Sequence, residues 1–232
     1  DRRAQIEAIR TEARKSANSA NTDEPLEMGI RFEPAPLAGR FSIPGFVERE
    51  ENGKKQPTNE EKDYDVQYFG QSRPTLAVVR PFAYALPASY QAAVENLHRH
   101  GVSMRVLRED IEVDAEVYRV NSINRQGKEF QGHKLVQVEV TARLESRRLE
   151  AGSIIVNTSQ PLSPLIVTLL EPASQDGLTT WNFFDAGLTA DQDFPVTRIM
   201  VAAPLLTATY SAPKQSSASK KPITFESLYG RN

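Results

Sequence analysis

Residues 160–185 read QPLSPLIVTLLEPASQDGLTTWNFFD, and the rest of the chain can be arranged around this stretch. A serine hydroxyl can accept from the unpaired amides of a first helical turn, and proline has no amide to leave unpaired. Ser163 and Pro164 therefore predict the start of a helix, with Ser163 as its N-cap. Aliphatic residues follow at helical spacing, and Glu171-Pro172 predicts the end of the run.

The second half of this stretch is aromatic. After an Asp-Gly turn come Trp181, which is the sole tryptophan of the chain, and then Phe183 and Phe184. Large apolar side chains are usually buried, so we expect this cluster to belong to the densest part of a core. The alternative interpretation is an aromatic docking surface.

Outward from this stretch, the pattern predicts an antiparallel sheet over residues 74–200. Alternation of apolar and polar residues indicates strands over 111–117 and 136–144, with Glu112, Asp114 and Glu116 on a solvated face. Residues 75–79 (TLAVV) predict a buried strand, and 153–158 (SIIVNT) predict the second strand of a hairpin after the 136–144 strand. Residues from Pro87 to Gly101 predict a helix. The predicted fold class is α+β, a mainly antiparallel sheet with two short helices on one face.

The regions on either side of this module are less regular. Residues 1–25 predict a helix followed by a polar linker, and residues 26–73 predict an irregular β segment with an exposed charged hairpin that turns at Asn52-Gly53. Residues 201–232 predict a flexible tail of low complexity, and 223–230 within it could add a last strand or turn.

Composition excludes several classes of function. The chain has 232 residues, a net charge of −2 and no cysteine, so it carries no basic footprint for nucleic acid and no thiolate metal site or disulfide. No apolar run approaches the ~20 residues that a membrane-spanning helix needs. A hydrophobic fraction of 39% is ordinary for a globular protein.

Three segments carry a resemblance to a known family: RPTLAVVRPFAYALP at 73–87, HGV at 100–102, and the stretch at 160–185. Together they resemble the region that follows the catalytic domain in a bacterial branch of the zinc carboxypeptidases, the carboxypeptidase A-like metallopeptidases. The resemblance implies a parent hydrolase that removes C-terminal residues from peptides by zinc-dependent proteolysis. It further implies a C-terminal accessory domain, a periplasmic or secreted location, and residues 1–25 placed after an absent catalytic domain.

The motif that holds zinc in this family, a histidine followed three residues later by glutamate, does not occur here. The histidines are His98, His100 and His133, and the residues three positions later cannot ligate zinc through a carboxylate. No catalytic or metal-binding residue is therefore predicted in this chain. The resemblance places the zinc cofactor in the implied catalytic domain.

Five residues are candidates for contact with a partner: Arg80, Tyr84, Trp181, Phe183 and Phe184. In the leading hypothesis these side chains pack against the catalytic domain of the same polypeptide or shape access to it. The alternative hypothesis is an independent module that recognises a glycan or a peptide through exposed aromatic rings.

Overall fold

The computed structural model describes residues 2–18 and 26–212, and it is mainly antiparallel β structure with three short helices. The helices are α1 (Arg2–Asn18), α2 (Gln91–Arg99) and α3 (Ser163–Leu170). The strands are β1 (Glu27–Ala35), β2 (Phe41–Glu51), β3 (Lys54–Val66), β4 (Gln71–Val79), β5 (Ala83–Leu86), β6 (Arg105–Leu107), β7 (Ile111–Arg125), β8 (Val136–Leu149), β9 (Ile154–Asn157), β10 (Asp193–Ile199) and β11 (Thr207–Thr209). The α+β class predicted from the sequence fits this arrangement in outline.

A seven-stranded antiparallel sheet forms the body of the molecule, in the order β11-β6-β9-β5-β10-β7-β8. Its centre is β5, all four residues of which are buried. A larger apolar core lies on one face of the sheet and joins it to α2 and α3; it includes Phe184 and Phe194. A smaller core lies on the other face, where Ala203 and Leu205 pack against it.

The remaining strands form a nested hairpin that is separate from the main sheet. In this hairpin β1 pairs with β4, and β2 pairs with β3, each as a two-stranded antiparallel sheet. At about 3.3 Å per residue, the 11 and 13 residues of β2 and β3 give a ribbon about 40 Å long. The ribbon turns at Asn52 and Gly53, whose φ angles of 53° and 73° suit a tight two-residue hairpin turn.

Hydrogen bonds from β1 fasten the inner end of this hairpin to the body. The Arg31 guanidinium donates to the carbonyl of Ala173 at 2.7 Å and to that of Val138 at 3.1 Å. The backbone amide of Gln175 donates to the backbone carbonyl of Ile30, and the Ile30 side chain is fully buried. The loop after α3 is therefore the joint between the nested hairpin and the main sheet.

Several local predictions differ from this structure. The segment 153–158 does not form a hairpin with β8, because β9 pairs with β5 and β6 in the middle of the sheet. Residues 75–79 lie in β4, outside the main sheet, and the buried strand is β5, which follows them. The periodicity of a short apolar run does not reveal which of two adjacent runs is central.

The helix start at 163–164 is correct in place but wrong in its chemistry. Ser163 is the first residue of α3, Leu162 occupies the N-cap, and the cap makes no side-chain hydrogen bond. The Ser163 hydroxyl instead accepts from the Arg80 guanidinium at 3.4 Å. The buried serine hydroxyl therefore takes part in a tertiary contact and does not cap the helix.

The flanking regions also differ in part from their predictions. Residues 26–73 contain long, regular strands where the sequence predicts irregular ones, and β11, within the predicted 201–232 tail, pairs with β6. The linker at 19–25 and residues 213–232, which include the possible last strand at 223–230, lie outside the described residues. No described helix is long and apolar enough to cross a membrane.

Candidate functional site

Four side chains form a buried charged network beneath the C-terminal end of α3. Glu171 follows the last residue of the helix and is 1% exposed. Its Oε1 accepts from the Tyr84 hydroxyl at 2.6 Å, and its Oε2 accepts from the Tyr118 hydroxyl at 2.9 Å. The Arg198 Nε lies 3.1 Å from Glu171 Oε1 and forms an ion pair with it. We call these residues the Glu171 network.

The sheet brings these residues together through its register. Tyr84 in β5 lies directly opposite Arg198 in β10, and Arg198 lies opposite Glu116 in β7. Directly opposed residues point to the same face, so the three side chains form a row across the sheet. Tyr118 is two residues along β7 and shares that face. Glu171 reaches this row from above.

Arg198 is the best-connected member of the network. Its Nη1 donates to the Glu116 carboxylate and, at 2.9 Å, to the Tyr118 hydroxyl, while its Nη2 donates to the backbone carbonyl of Val79. Its guanidinium carbon also lies 5.3 Å from the centre of the Tyr118 ring. The Nε group is aligned with no hydrogen-bond acceptor among the described residues, so it contributes to the ion pair alone.

Burial dominates the electrostatics of this network. It raises the pKa of the Glu171 carboxyl, and the charge of Arg198 and the two tyrosine hydrogen bonds oppose that rise. Burial together with the negative charge of Glu171 raises the pKa values of Tyr84 and Tyr118. Burial alone would lower the pKa of Arg198, but Glu171 leads a set of neighbours that raise it, so the guanidinium stays charged.

The chemistry available to this network is limited. Both oxygens of Glu171 are occupied by hydrogen bonds within the chain, and Tyr84 is completely buried. A general acid or base must reach the proton that it transfers, and these groups face one another. The Glu171 network therefore has the properties of a scaffold that fixes α3 on the sheet.

The structure separates the five candidate residues into two groups. Tyr84 and Phe184 are completely buried, and Arg80 is nearly so, which places all three inside the body. Trp181 and Phe183 are half-buried, and Phe183 packs against the larger core. Of the five, Trp181 is the one whose ring contacts two other aromatic rings near the surface.

Two other rings join Trp181 at the surface. The centres of the Trp181 and His133 rings are 5.4 Å apart and those of Trp181 and Phe130 are 6.3 Å apart. Phe130 is 52% exposed, and the indole Nε1 donates to Asp176 Oδ1 at 2.5 Å. We call Phe130, His133 and Trp181 the aromatic platform.

Asn182 connects the two segments that form this platform. Its amide nitrogen donates to the Lys134 carbonyl at 3.0 Å, and its Oδ1 lies 3.1 Å from His133 Nδ1. This arrangement makes His133 Nδ1 the donor. Asn182 itself has a φ of 69°, in the left-handed region, which an asparagine adopts more readily than most residues. The turn after β7 is thus fixed against the loop after α3.

A second distinctive surface lies on the ribbon of β2 and β3. Phe41 opposes Val66 and Ile43 opposes Tyr64, so these four side chains share one face. The opposite face carries acidic residues, including Asp63 and Asp65, which oppose Pro44 and Ser42. Phe41 and Ile43 are 39% and 45% exposed. We call the first group the ribbon's apolar face.

The sequence interpretation missed Glu171, Arg198, Tyr118 and the role of Glu116. Glu116, expected on a solvated face, is partly buried and pairs with Arg198. A signal was present for Arg198, because alternation in β10 places it on the same face as Phe194 and Val196, which are buried apolar residues. An isolated charge on an apolar face requires a buried partner.

The described residues contain no group of three histidine, aspartate or glutamate side chains arranged to hold a metal ion. His98 and His100 are exposed near the end of α2, while His133 belongs to the aromatic platform. Within residues 2–18 and 26–212, these histidines do not come together with carboxylates as a zinc site requires.

Comparison with known proteins gives a single kind of relative. No family model matches the chain, and no solved structure matches it. Two curated proteins, each named Carboxypeptidase 2, from Trichophyton tonsurans and Trichophyton equinum, are 29% identical to it over 140 residues. The match covers 59% of this chain and 26% of each relative, so the chain spans about a quarter of their length. The chain is thus distantly similar in sequence to these fungal carboxypeptidases.

Proposed function

We propose that this chain is a non-catalytic accessory region of a zinc-dependent carboxypeptidase, placed C-terminal to the catalytic domain of the same polypeptide. The similarity to about a quarter of two carboxypeptidases is the observation that carries this proposal. The parent enzyme would release C-terminal residues from peptides. A bacterial source and a periplasmic or secreted location are proposed from the family resemblance alone.

The Glu171 network supports a structural role for the body. Buried ionisable groups with shifted pKa values often mark active sites, but ion-pair networks that hold a fold together shift them as well. Here the hydroxyls of Tyr84 and Tyr118 and the guanidinium of Arg198 converge on one carboxylate inside the chain. The groups that could do chemistry are therefore used to hold α3 against the sheet.

The ribbon's apolar face is the surface that we propose for contact with the catalytic domain. A two-stranded ribbon is marginally stable by itself in water, and it gains stability when one face is covered. Phe41, Ile43, Tyr64 and Val66 are apolar or aromatic and lie together, whereas the opposite face carries Glu61, Asp63 and Asp65, with Phe46 as an exposed aromatic ring among them. This one-sided pattern is typical of a sheet that is buried on one face and solvated on the other.

The experiment begins with the polypeptide that the gene encodes around this chain. The flanking segment and this chain would be produced as two separate polypeptides, and their association would be measured by calorimetry alongside release of C-terminal residues from a peptide. We expect the flanking segment to be a peptidase that binds this chain. A flanking segment without peptidase activity would overturn the proposal.

A pair of adjacent residues provides the matched test of the contact surface. Ile43 and Ser42 point to opposite faces of the ribbon, so Ile43→Lys and Ser42→Lys add the same charge to the two faces. Burying an isoleucine is worth about 1.5–3 kcal/mol, so we expect Ile43→Lys to weaken the association at least about tenfold. Ser42→Lys should leave it unchanged. Equal effects of the two substitutions would exclude the apolar face as the contact.

A further inference from the structure

The aromatic platform has features that the accessory role does not use. Its rings come from two segments: Phe130 and His133 belong to the turn between β7 and β8, and Trp181 belongs to the loop after α3. We propose that the aromatic platform is a binding site for a neutral carbohydrate chain. This inference is independent of the accessory role and would hold for a protein with any other main function.

The platform is preorganised by its backbone. Phe130 and His133 exchange backbone hydrogen bonds of 2.9 and 3.0 Å across a turn whose central residues, Gln131 and Gly132, have φ angles of 51° and 79°. Glutamine is uncommon in this left-handed region, and sparsely populated conformations cluster at functional sites. Together with the Asn182 clamp, the turn holds the rings in place before any ligand arrives, which reduces the entropy lost on binding.

The polar groups at the rim of the platform can contact hydroxyl groups. Asp176 accepts from the indole through Oδ1, and its exposed carboxylate has capacity for a further hydrogen bond. Asn182 engages His133 Nδ1, which leaves Nε2 as the ring nitrogen for a ligand hydroxyl, a group that can donate or accept. A pyranose ring offers an apolar C–H face to stack on an aromatic ring and hydroxyl donors around its edge. The platform matches both features.

Local charge favours no ionic ligand. Lys128 and Lys134 on the turn balance Glu129 and the Asp176 carboxylate beside the indole, so the nearby charges sum to zero. A peptide that binds by strand addition would have to pair with β8, the edge strand of the sheet, and not with the platform itself, where Phe130 and His133 already pair with each other. A neutral ligand with hydroxyl donors therefore suits the platform better than either alternative.

The sole tryptophan makes the test direct, because tryptophan emission, excited at a wavelength that tyrosine does not absorb, reports on this platform alone. We would titrate the chain with hexasaccharides of β-1,4-linked glucose and of β-1,4-linked N-acetylglucosamine, and with an unstructured neutral peptide of similar length. We expect one of the sugars to shift the emission and to bind in calorimetry, and the peptide to do neither. No shift with either sugar up to about 10 mM, equivalent to less than about 3 kcal/mol of affinity, would overturn the proposal. Binding of the peptide alone would overturn it as well.

Variants distinguish sugar binding at the platform from nonspecific binding elsewhere on the surface. Phe130→Ala removes an exposed ring and should weaken sugar binding roughly tenfold while leaving Trp181 as the reporter. Phe69→Ala is the matched control, since Phe69 is 58% exposed on the chain between β3 and β4, away from the platform. Trp181→Ala, followed by calorimetry, should abolish binding. If Phe130→Ala binds as tightly as the unmodified chain, the rings are not the site.

Discussion

The body of this protein buries charged and polar side chains, whereas the ribbon leaves apolar side chains exposed. In the body, Glu171, Arg198 and Tyr84 are charged or polar side chains that are buried and bonded to one another. On the ribbon, Phe41 and Ile43 are apolar side chains that remain substantially exposed. Burying charged side chains and exposing apolar side chains both cost free energy unless the side chains have partners. Each arrangement therefore indicates the kind of partner that its region contacts.

The two regions differ in whether these side chains have fixed partners. A buried charge is tolerated only when its partners are fixed, and the seven-stranded sheet fixes them by register. Within the described part of the chain the ribbon has no third strand and joins neither apolar core, so Phe41 and Ile43 stay exposed. The body is therefore expected to unfold as one cooperative unit, whereas the ribbon should open locally.

The largest expected effect comes from breaking the Glu171 network. Glu171→Ala leaves the Arg198 guanidinium buried without its main counter-charge, which typically costs about 3–5 kcal/mol. Urea unfolding followed by circular dichroism would measure this loss of stability. Glu61→Ala removes an exposed carboxylate from the ribbon and should change stability by less than about 0.5 kcal/mol. Similar effects for the two variants would contradict the assignment of Glu171 as a central buried group.

Two phenylalanines, Phe184 in the body and Phe46 on the ribbon, allow the same comparison of the two regions for apolar side chains. Phe184 is completely buried and its ring contacts Tyr90 and Phe194, with centres 5.2 and 5.1 Å apart. Phe184→Ala should cost about 3–5 kcal/mol, because it removes buried area and leaves a cavity. Phe46→Ala, on the ribbon, should cost less than about 0.5 kcal/mol in the isolated chain. Phe46 lies on the acidic face of the ribbon, so a large loss from Phe46→Ala would contradict the proposal that this face is solvated.

The regular parts of the fold were largely predictable from the sequence. Alternation identified β7 and β8, and the glycine at 101 marked the end of α2, because these signals are local. The sheet order was not predictable, because β9 pairs with strands distant in sequence and the apolar run itself carries no register. The ribbon was expected to be irregular because proline and glycine are frequent in it, yet they lie within strands that have no second neighbour.

The candidate sites were less predictable for a related reason. Glu171 was interpreted as the end of a helix, which it is, but its burial depends on Arg198, 27 positions later in the sequence. The sequence indicates one ring of the aromatic platform, Trp181. It does not indicate Phe130 and His133, because the fold alone brings them into contact with Trp181. The roles proposed for Arg80, Tyr84, Phe183 and Phe184 at an interface stay predictions.

A pair of glycines sharpens the distinction between global and local stability. Gly53 at the ribbon tip and Gly101 after α2 have φ angles of 73° and 78°, and a Cβ at either position would meet nothing within 4 Å. Alanine in this conformation costs roughly 1–2 kcal/mol, so Gly101→Ala should lower the unfolding temperature of the body by a few degrees. Gly53→Ala should leave that temperature unchanged and speed hydrogen exchange in β2 and β3. Equal changes in unfolding temperature would mean that the two regions unfold together.

The smallest expected effect depends on pH. Asp193 in the body accepts from Arg143 at 2.8 Å and from Arg147 at 2.9 Å; burial alone would raise its pKa, but these hydrogen bonds lower it overall. A carboxyl whose pKa is lower in the folded state stabilises the fold above its unfolded pKa of about 3.9, and this contribution is lost as the pH falls. Since the side chain is 25% exposed, we expect Asp193→Asn to cost only about 0.5 kcal/mol at pH 7 and nothing near pH 2.

The ribbon offers the control for this last prediction. Asp65 pairs with Arg40 at 2.6 Å, but both side chains are more than half exposed, so water screens the ion pair. Asp65→Asn should therefore leave the free energy of unfolding unchanged at both pH values, as measured by urea titration. If Asp193→Asn showed the same flat response, the ion pairs of the body would be no better shielded than those of the ribbon. The contrast between the two regions would then rest on their apolar packing alone, because the surface charges would not distinguish them.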